Sequence, residues 1–415
     1  MAPRPANRSR RACCAAVLGL ATAVVVSACA TRPQYGVATT AVTPHGNCDA
    51  ARIIPVGAAL DLSGPEAALG HEYLTGLEMA VDQINHSHGL LHYDDCLELL
   101  YKDTGGNVQV ASRAVLDLVN QEGVAYLVAP FGPSEVRFAG RDLSGANVPT
   151  ASFASLDETY NPHRYPKLFP VAASSGAVAA AMVSFAHSQK WTRVGIVAAG
   201  DAAARQGAAD AIPAARRAGV AVTGSLSLAP GIDPARSALG QLQHSGPDAL
   251  LVTGDSPEVA DVLRARASLG WNVPIIAQEV AGDRSVLEAA GSGHLGDVFA
   301  VVPQAVVRQQ KPLDPAVVTF SDDLSRRLRG SPLAGSIIPY AQAADAISML
   351  GSVAAGIHTV NPGPVRTYLE NANFQGLLAS YAFTSEAHTG MGADQLTVAA
   401  VSSLSDGLFG ASGSG

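Results

Sequence analysis

The run Ile53-Ile54-Pro55-Val56-Gly57-Ala58-Ala59-Leu60, followed by Asp61-Leu62-Ser63-Gly64 and then by helical periodicity over 72–84, decides the fold class. Eight residues without polar alternation read as a strand buried on both faces, the habit of parallel sheets. A short glycine-containing turn and a helix after it form the first part of a βαβ unit. The pattern recurs. Further strands are expected at 97–102, 125–129, 148–152, 194–198, 220–225, 249–253 and 273–277. Helices are expected at 108–121, 177–189, 203–218, 233–244 and 257–269. Eight such units exceed one open sheet, so the fold class is α/β with two lobes, each a parallel sheet flanked by helices. A later helix at 340–355 and a β-rich stretch at 376–401 complete the chain.

Composition narrows the function. The 415 residues are 48% hydrophobic, enough to bury a sizeable core and to exclude wholesale disorder. A formal net charge of −8 is the wrong sign for a nucleic-acid binder, and 5% aromatic residues supply few stacking platforms for bases. The mean hydropathy of +0.19 is high, yet the one unbroken apolar run of any length lies at the N-terminus.

That N-terminal segment reads as an address. Arg4, Arg8, Arg10 and Arg11 precede an apolar stretch over 12–26, short for a membrane span and right for a signal peptide. It ends in Val26-Ser27-Ala28-Cys29, similar to a bacterial lipobox in which the Cys29 sulfur takes a lipid. The alternative is a plain signal peptide that contains a cysteine. Removing residues 1–28 takes away four basic side chains and no acidic ones, so −8 becomes −12. Residues 29–47, rich in Thr, Pro and Ala, are expected to be a flexible tether spanning on the order of 20–25 Å.

Cys13 and Cys14 would leave with the signal, which leaves Cys48 and Cys96 in an oxidising compartment. Each precedes an apolar β-like run. If those runs are neighbouring parallel strands, both cysteines lie at the same end and can bridge; otherwise they are two buried thiols.

In open parallel sheets, ligands sit beyond the carboxyl ends of the strands. The stretches there are Asp61 to Gly64, Phe131 to Ser134, Ser152 to Ser155, Ala199 to Asp201, Gly254 to Ser256, and Gln278-Glu279. With these residues in view, the chain resembles the type I periplasmic binding proteins of branched-chain amino acid ABC transporters. The resemblance runs from about 53 to 401. Its carriers are Ala59-Leu60-Asp61-Leu62-Ser63-Gly64-Pro65, Gly70, and Thr75-Gly76-Leu77-Glu78-Met79-Ala80-Val81-Asp82-Gln83-Ile84-Asn85. Tyr101-Lys102-Asp103, residues 123–128, residues 248–254 and Pro257-Glu258 continue it.

The resemblance implies two Rossmann-like lobes, 48–172 plus 304–373 and 173–303 plus 374–409, joined by three crossovers that close on a ligand. It implies that backbone and hydroxyl groups at Gly132, Pro133, Ser134, Ala154 and Ser155 hold the carboxylate of an amino acid. Glu279 stands where the family binds the ligand's ammonium group. Leu69 and Ala204 stand where branched-chain binders place aromatic side chains, and Asp255 where another Tyr is usual. A wider, more negative pocket and a bulkier ligand with an amino group are therefore expected. A monomer that docks on an ABC permease, anchored to the membrane outside the cell or in the periplasm, completes what the resemblance implies.

Plainer roles stand beside these. Ser134 and Ser155 also suit helix capping, and Asp255 suits a solvated loop. Ser256-Pro257-Glu258 reads as a cap followed by Pro at the first helical position. Asp61 and Asp103 are expected to serve turns. The glycine pattern at 291–296 has a helix before it and a strand after it, the reverse of a dinucleotide loop. His86, His88 and His92 cluster locally without the fixed geometry of a zinc site. No nucleophile, base and orienting group assemble, so no enzyme, cofactor or metal is expected. A sensor that reports its ligand to a partner and a scaffold that binds none are the rival readings.

Overall fold

A computed structural model describes residues 37–44, 48, 52–87, 95–128, 145, 147–154, 161–228, 233–308, 312–330 and 333–410. The first sheet contains β1 (Thr40–Val42), β2 (Arg52–Leu60), β3 (Asp95–Asp103), β4 (Tyr126–Val128), β5 (Thr150–Ser152) and β6 (Leu168–Pro170). Their spatial order is β1-β3-β2-β4-β5-β6. All neighbours are parallel except β1, which runs antiparallel along the edge of β3.

The second sheet begins with β7 (Arg193–Ala198), β8 (Ala221–Ser227), β9 (Ala249–Thr253), β10 (Ile275–Ala277) and β11 (Val298–Pro303). After it come β12 (Val307–Arg308) and a ribbon of β13 (Asn373–Gln375), β14 (Ser380–Ala382) and β15 (Gly390–Met391). Then β16 (Leu396–Ala400) returns antiparallel to β11, giving the order β16-β11-β10-β9-β7-β8. Short β17 (Phe409–Gly410) pairs with β12. The helices are α1 (Ala67–His86), α2 (Val108–Asn120), α3 (Ser175–Ser188), α4 (Ala202–Arg217) and α5 (Pro234–Gln243). They continue with α6 (Ser256–Ser268), α7 (Arg284–Ala290), α8 (Pro315–Arg327), α9 (Ile338–Ile357) and α10 (Pro362–Leu369).

The parallel α/β architecture expected from 53–60 is present. Strand β2 sits between β3 and β4, so Val56, Ala58 and Leu60 on one face and Ala59 on the other are all shielded from water. Full burial of each large aliphatic side chain contributes about 1.5–3 kcal/mol. High mean hydropathy has the same origin: α9 is buried on most of its circumference. No single helix among the described residues is long and apolar enough to cross a membrane.

Two elements depart from expectation. Residues 40–42, placed in the flexible tether, form an edge strand opposite 99–101. The sequence signal is weak because Thr-Ala-Val is short; pairing with β3 and a bond from Lys102 Nζ to Val37 O (2.7 Å) supply the order. Helix α1 starts at Ala67 rather than near 72. Gly70 interrupts the sequence pattern, but a Cβ there would lie 1.7 Å from Asp61 O, so the close approach of helix to strand end requires glycine. At Gly76 a Cβ would lie 2.2 Å from Tyr340 O, where α1 crosses α9. Residues 291–296 join α7 to β11 through a single 3-10 turn.

Buried polar groups tie the pieces together. Asn85 copies a strand, donating to Leu97 O (3.0 Å) and accepting from Leu97 N (2.8 Å). Asp345 on α9 is fully buried and accepts from Leu377 N, Leu378 N and Tyr381 Oη, which docks the β13–β15 ribbon. His388 follows that ribbon onto β6, with Nδ1 2.6 Å from Leu168 O and Nε2 3.2 Å from Glu370 Oε1.

Cys48 and Cys96 are bridged, their Cα atoms 5.8 Å apart. Parallel pairing of β2 with β3 puts both at the same end, as required. Closing a loop across 48 residues removes unfolded-state entropy worth about 3–4 kcal/mol. A Cys48→Ala/Cys96→Ala variant should lose about that much in urea unfolding, and the wild type should lose the same on reduction.

Candidate functional site

Strand-end loops of both sheets converge on one cavity of about 80 Å³. From the first sheet come Glu66 after β2, Leu69 and Tyr73 on α1, and Phe153 and Ala154 after β5. Ser175 on α3 adjoins them. From the second come Ala203 and Ala204 at the start of α4, Gly254 to Ser256 after β9, and Gln278 to Val280 after β10.

Local turn chemistry sets these positions. Asp61 is buried at the end of β2. Its Oδ1 accepts from Gly64 N (2.6 Å) and its Oδ2 from Glu66 N (3.0 Å), folding the loop back so that Glu66 becomes the N-cap position of α1. Asp103, at the matching end of β3, accepts from Leu62 N and Gly105 N, both at 2.9 Å. These are the turn duties expected of both residues. On the other side Asp201 caps α4, accepting from Ala203 N (2.7 Å) and Ala204 N (3.0 Å).

Helix α6 corrects one expectation. Its cap position is Asp255, and Ser256 is already its first helical residue. Ser256 Oγ does not cap; it donates to Asp283 Oδ2 at 2.7 Å, in a buried place at the cavity wall. The Asp255 carboxylate makes no capping bond either, and it lines the cavity.

Of the residues singled out in the sequence, Ala154, Asp255 and Glu279 come together here. Ala154 N–H donates to Ser152 Oγ at 3.2 Å. Gly132, Pro133, Ser134, Ser155 and Cys29 lie outside the described residues, as do His88 and His92. His86 Nδ1 is 2.7 Å from Asp82 O on its own helix.

Sequence reading missed the aromatic wall. Leu69 and Ala204 were expected to leave the pocket wide, but Tyr73 stacks on Phe153 with ring centroids 4.1 Å apart and planes within 9°. Tyr73 Oη donates to Gln342 Oε1 (3.1 Å), and Gln342 Nε2 donates to Val171 O (2.9 Å), so α9 braces the stack from behind. Glu66 and Asp283 were missed as well. The signal for Glu66 was its place directly after the β2 turn.

Carboxylates dominate the electrostatics. Burial, then the Asp255, Glu258 and Asp61 carboxylates, push Glu66 up to about 8. Burial pushes Glu72 up to about 7, although the Tyr340 hydroxyl and the Arg284 guanidinium oppose it. Burial also raises Glu279, Glu258 and Asp283. Asp283 and Glu72 are only 4% and 8% exposed, and Glu258 Oε2 is buried without a hydrogen-bond partner.

With the fold and cleft defined, the class follows: the chain belongs to the periplasmic binding protein family, whose model matches residues 53–407, and its fold is the type I form. The family binds small molecules outside the cytoplasm and works with ABC permeases. A type 1 periplasmic binding protein from Bordetella pertussis superposes with a TM-score of 0.74 at 19% identity, covering 84% of this chain and 96% of the other. The branched-chain amino acid transporter substrate binding protein of Streptococcus pneumoniae, solved with isoleucine, gives 0.70 at 19% identity, covering 82% and 94%. A solute binding protein from R. palustris, solved with 4-hydroxybenzoate, gives 0.70 at 15% identity, covering 81% and 90%.

The raised carboxyls make ligand-free stability pH-dependent. Between pH 4.5 and about 8 the folded Glu66 keeps a proton that the unfolded chain has lost, and Glu72 does so up to about 7. The folded state binds more protons there, so stability falls as pH rises through that window. Thermal unfolding of ligand-free protein should show the midpoint dropping by about 2–4 °C from pH 5 to 8.5. Glu66→Gln should flatten part of the drop.

Proposed function

We propose that this chain is the substrate-binding lipoprotein of an ABC importer, exported and tethered through Cys29. In this reading it captures a small polar solute (an amino acid, amide or related amine) between its lobes and hands it to a permease. One observation carries the reading: strand-end loops of both sheets line a single cavity that holds Ala154, Asp255 and Glu279 together. A ligand touching both walls favours the closed arrangement by its differential affinity, so capture and closure are coupled without any chemical step.

Lobe boundaries near 172 and 303 follow the two sheets. The proposed lobes are 48–172 plus 304–373 and 173–303 plus 374–409, with the β13–β15 ribbon held by Asp345 on α9 and by His388 against β6. Carrying over the family's pattern, Glu279 would receive the ligand's ammonium group, Asp255 would add a second acceptor, and Gly132, Pro133, Ser134, Ala154 and Ser155 would hold a ligand carboxylate where one is present.

A thermal-shift screen of purified protein against amino acids, amides, polyamines, ureas and small sugars tests this. At 100 times its Kd a ligand stabilises the folded state by about 2.7 kcal/mol, a readily measured shift. One chemical class should raise the midpoint in a dose-dependent way. Asp255→Ala or Glu279→Ala should weaken that ligand at least tenfold; unchanged affinity in both would remove these side chains from the site.

A further inference from the structure

We infer that the cleft selects organic cations without a carboxylate, amines rather than amino acids, and that Glu66 sets this preference. The inference rests on the solute-binding reading and names the ligand class that the cavity wall favours.

A census of donors and acceptors around the cavity is one-sided. Glu66, Asp255 and Glu279 present carboxylates from three different loops, two of them on one sheet and one on the other. None of the described lining residues is Lys, Arg or His. Among the described lining residues, several donors that could meet a ligand carboxylate are already engaged. Ala203 N and Ala204 N donate to Asp201, Ala154 N donates to Ser152 Oγ, and Ser256 Oγ donates to Asp283. Ser175 Oγ donates to Asp210 Oδ2 at 2.8 Å, and the Gln278 side-chain amide is a neutral donor on the same wall. An anionic group would thus enter a buried, acid-lined cavity, where any ionised carboxylate repels it strongly and where it gains nothing from Glu66 giving up its proton. A cation meets the opposite situation, and the face of the Tyr73–Phe153 stack adds a π surface suited to a desolvated ammonium group.

Glu66 is the pivotal acid because it belongs to the first sheet's wall while acids of the second sheet act on it. Asp255 and Glu258 from α6, and Asp61 from the end of β2, all disfavour its ionised form. A bound cation reverses that balance. Glu66 then ionises, its proton leaves, and repulsion across the cleft becomes attraction through the ligand.

Titration calorimetry with matched series is the test: leucine, leucinamide and 3-methylbutylamine; phenylalanine, phenylalaninamide and phenethylamine; arginine and agmatine; and 4-hydroxybenzoate as an anion. The expected result is that a carboxylate-free cation binds at least tenfold more tightly than its parent amino acid. Repeated in buffers of different ionisation enthalpy at pH 7, binding should release roughly one proton. Glu66→Gln should weaken the amine at least tenfold and abolish the proton release, while its thermal midpoint at pH 8 equals or exceeds that of wild type, showing that it folds. Tighter binding of the parent amino acid, or of 4-hydroxybenzoate, overturns the cation preference and leaves the solute-binding reading standing. Equal amine affinity in Glu66→Gln overturns the role of Glu66. Failure of every compound here and in the broader screen removes both readings together.

Discussion

A parallel strand cannot return to its neighbour by a tight turn, so each pair in these sheets needs a crossover that carries the chain back along a face. The carboxyl ends of β2, β4 and β5, and of β7, β9 and β10, therefore share one edge of each sheet. The loops that leave those ends have no ladder partners of their own. Side-chain carboxylates supply the missing acceptors: Asp61 and Asp103 organise the loops of the first sheet and Asp201 the start of α4. The cavity is what remains where these loops meet. Its position follows from the direction of the strands, and its shape from a few close approaches, of which Gly70 against Asp61 O is the tightest.

Placing acids on both walls has an electrostatic cost that, on the proposed reading, links the cleft's chemistry to its closure. Glu66 and Glu72 of the first wall face Asp255, Glu258 and Asp283 of the second, and burial keeps water from screening them. Bringing the walls together without a cation drives protons onto these groups. With a cation the same approach becomes favourable. A hinge between two such walls closes to the extent that its ligand interacts differently with the open and closed states. On the proposed reading, the same carboxylates supply both the selectivity and the force for closure. The Tyr73–Phe153 stack contributes a firm apolar floor, held from behind by Gln342.

Much of the fold was legible because the relevant signals are local. Uninterrupted apolar runs at 53–60, 194–198 and 249–253 mark buried parallel strands wherever they fall. The edge strand 40–42 was not legible, since its three residues gain order only from β3. Ser256 shows a subtler failure. Ser before Pro reads as a cap, but the helix starts one residue earlier, and the hydroxyl is taken by Asp283, 27 residues away. The aromatic wall was missed for a related reason. Counting positions at Leu69 and Ala204 found aromatics absent, while Tyr73 stands one helical turn further along α1 and turns its ring into the same space.

By itself, then, the sequence determined the alternation of strands and helices, the pairing of Cys48 with Cys96 as a possibility, and the loops in which a ligand site had to lie. Those follow from hydrophobic period and turn chemistry, which act over a few residues. Only the tertiary structure decided which side chains of those loops face one another. That Glu66 meets Asp255 and Glu258, that Phe153 carries Tyr73, and that the nearby amides are already engaged depends on contacts between distant segments. Charge and desolvation act through space, and no spacing along the chain encodes the distance between two walls of a cleft.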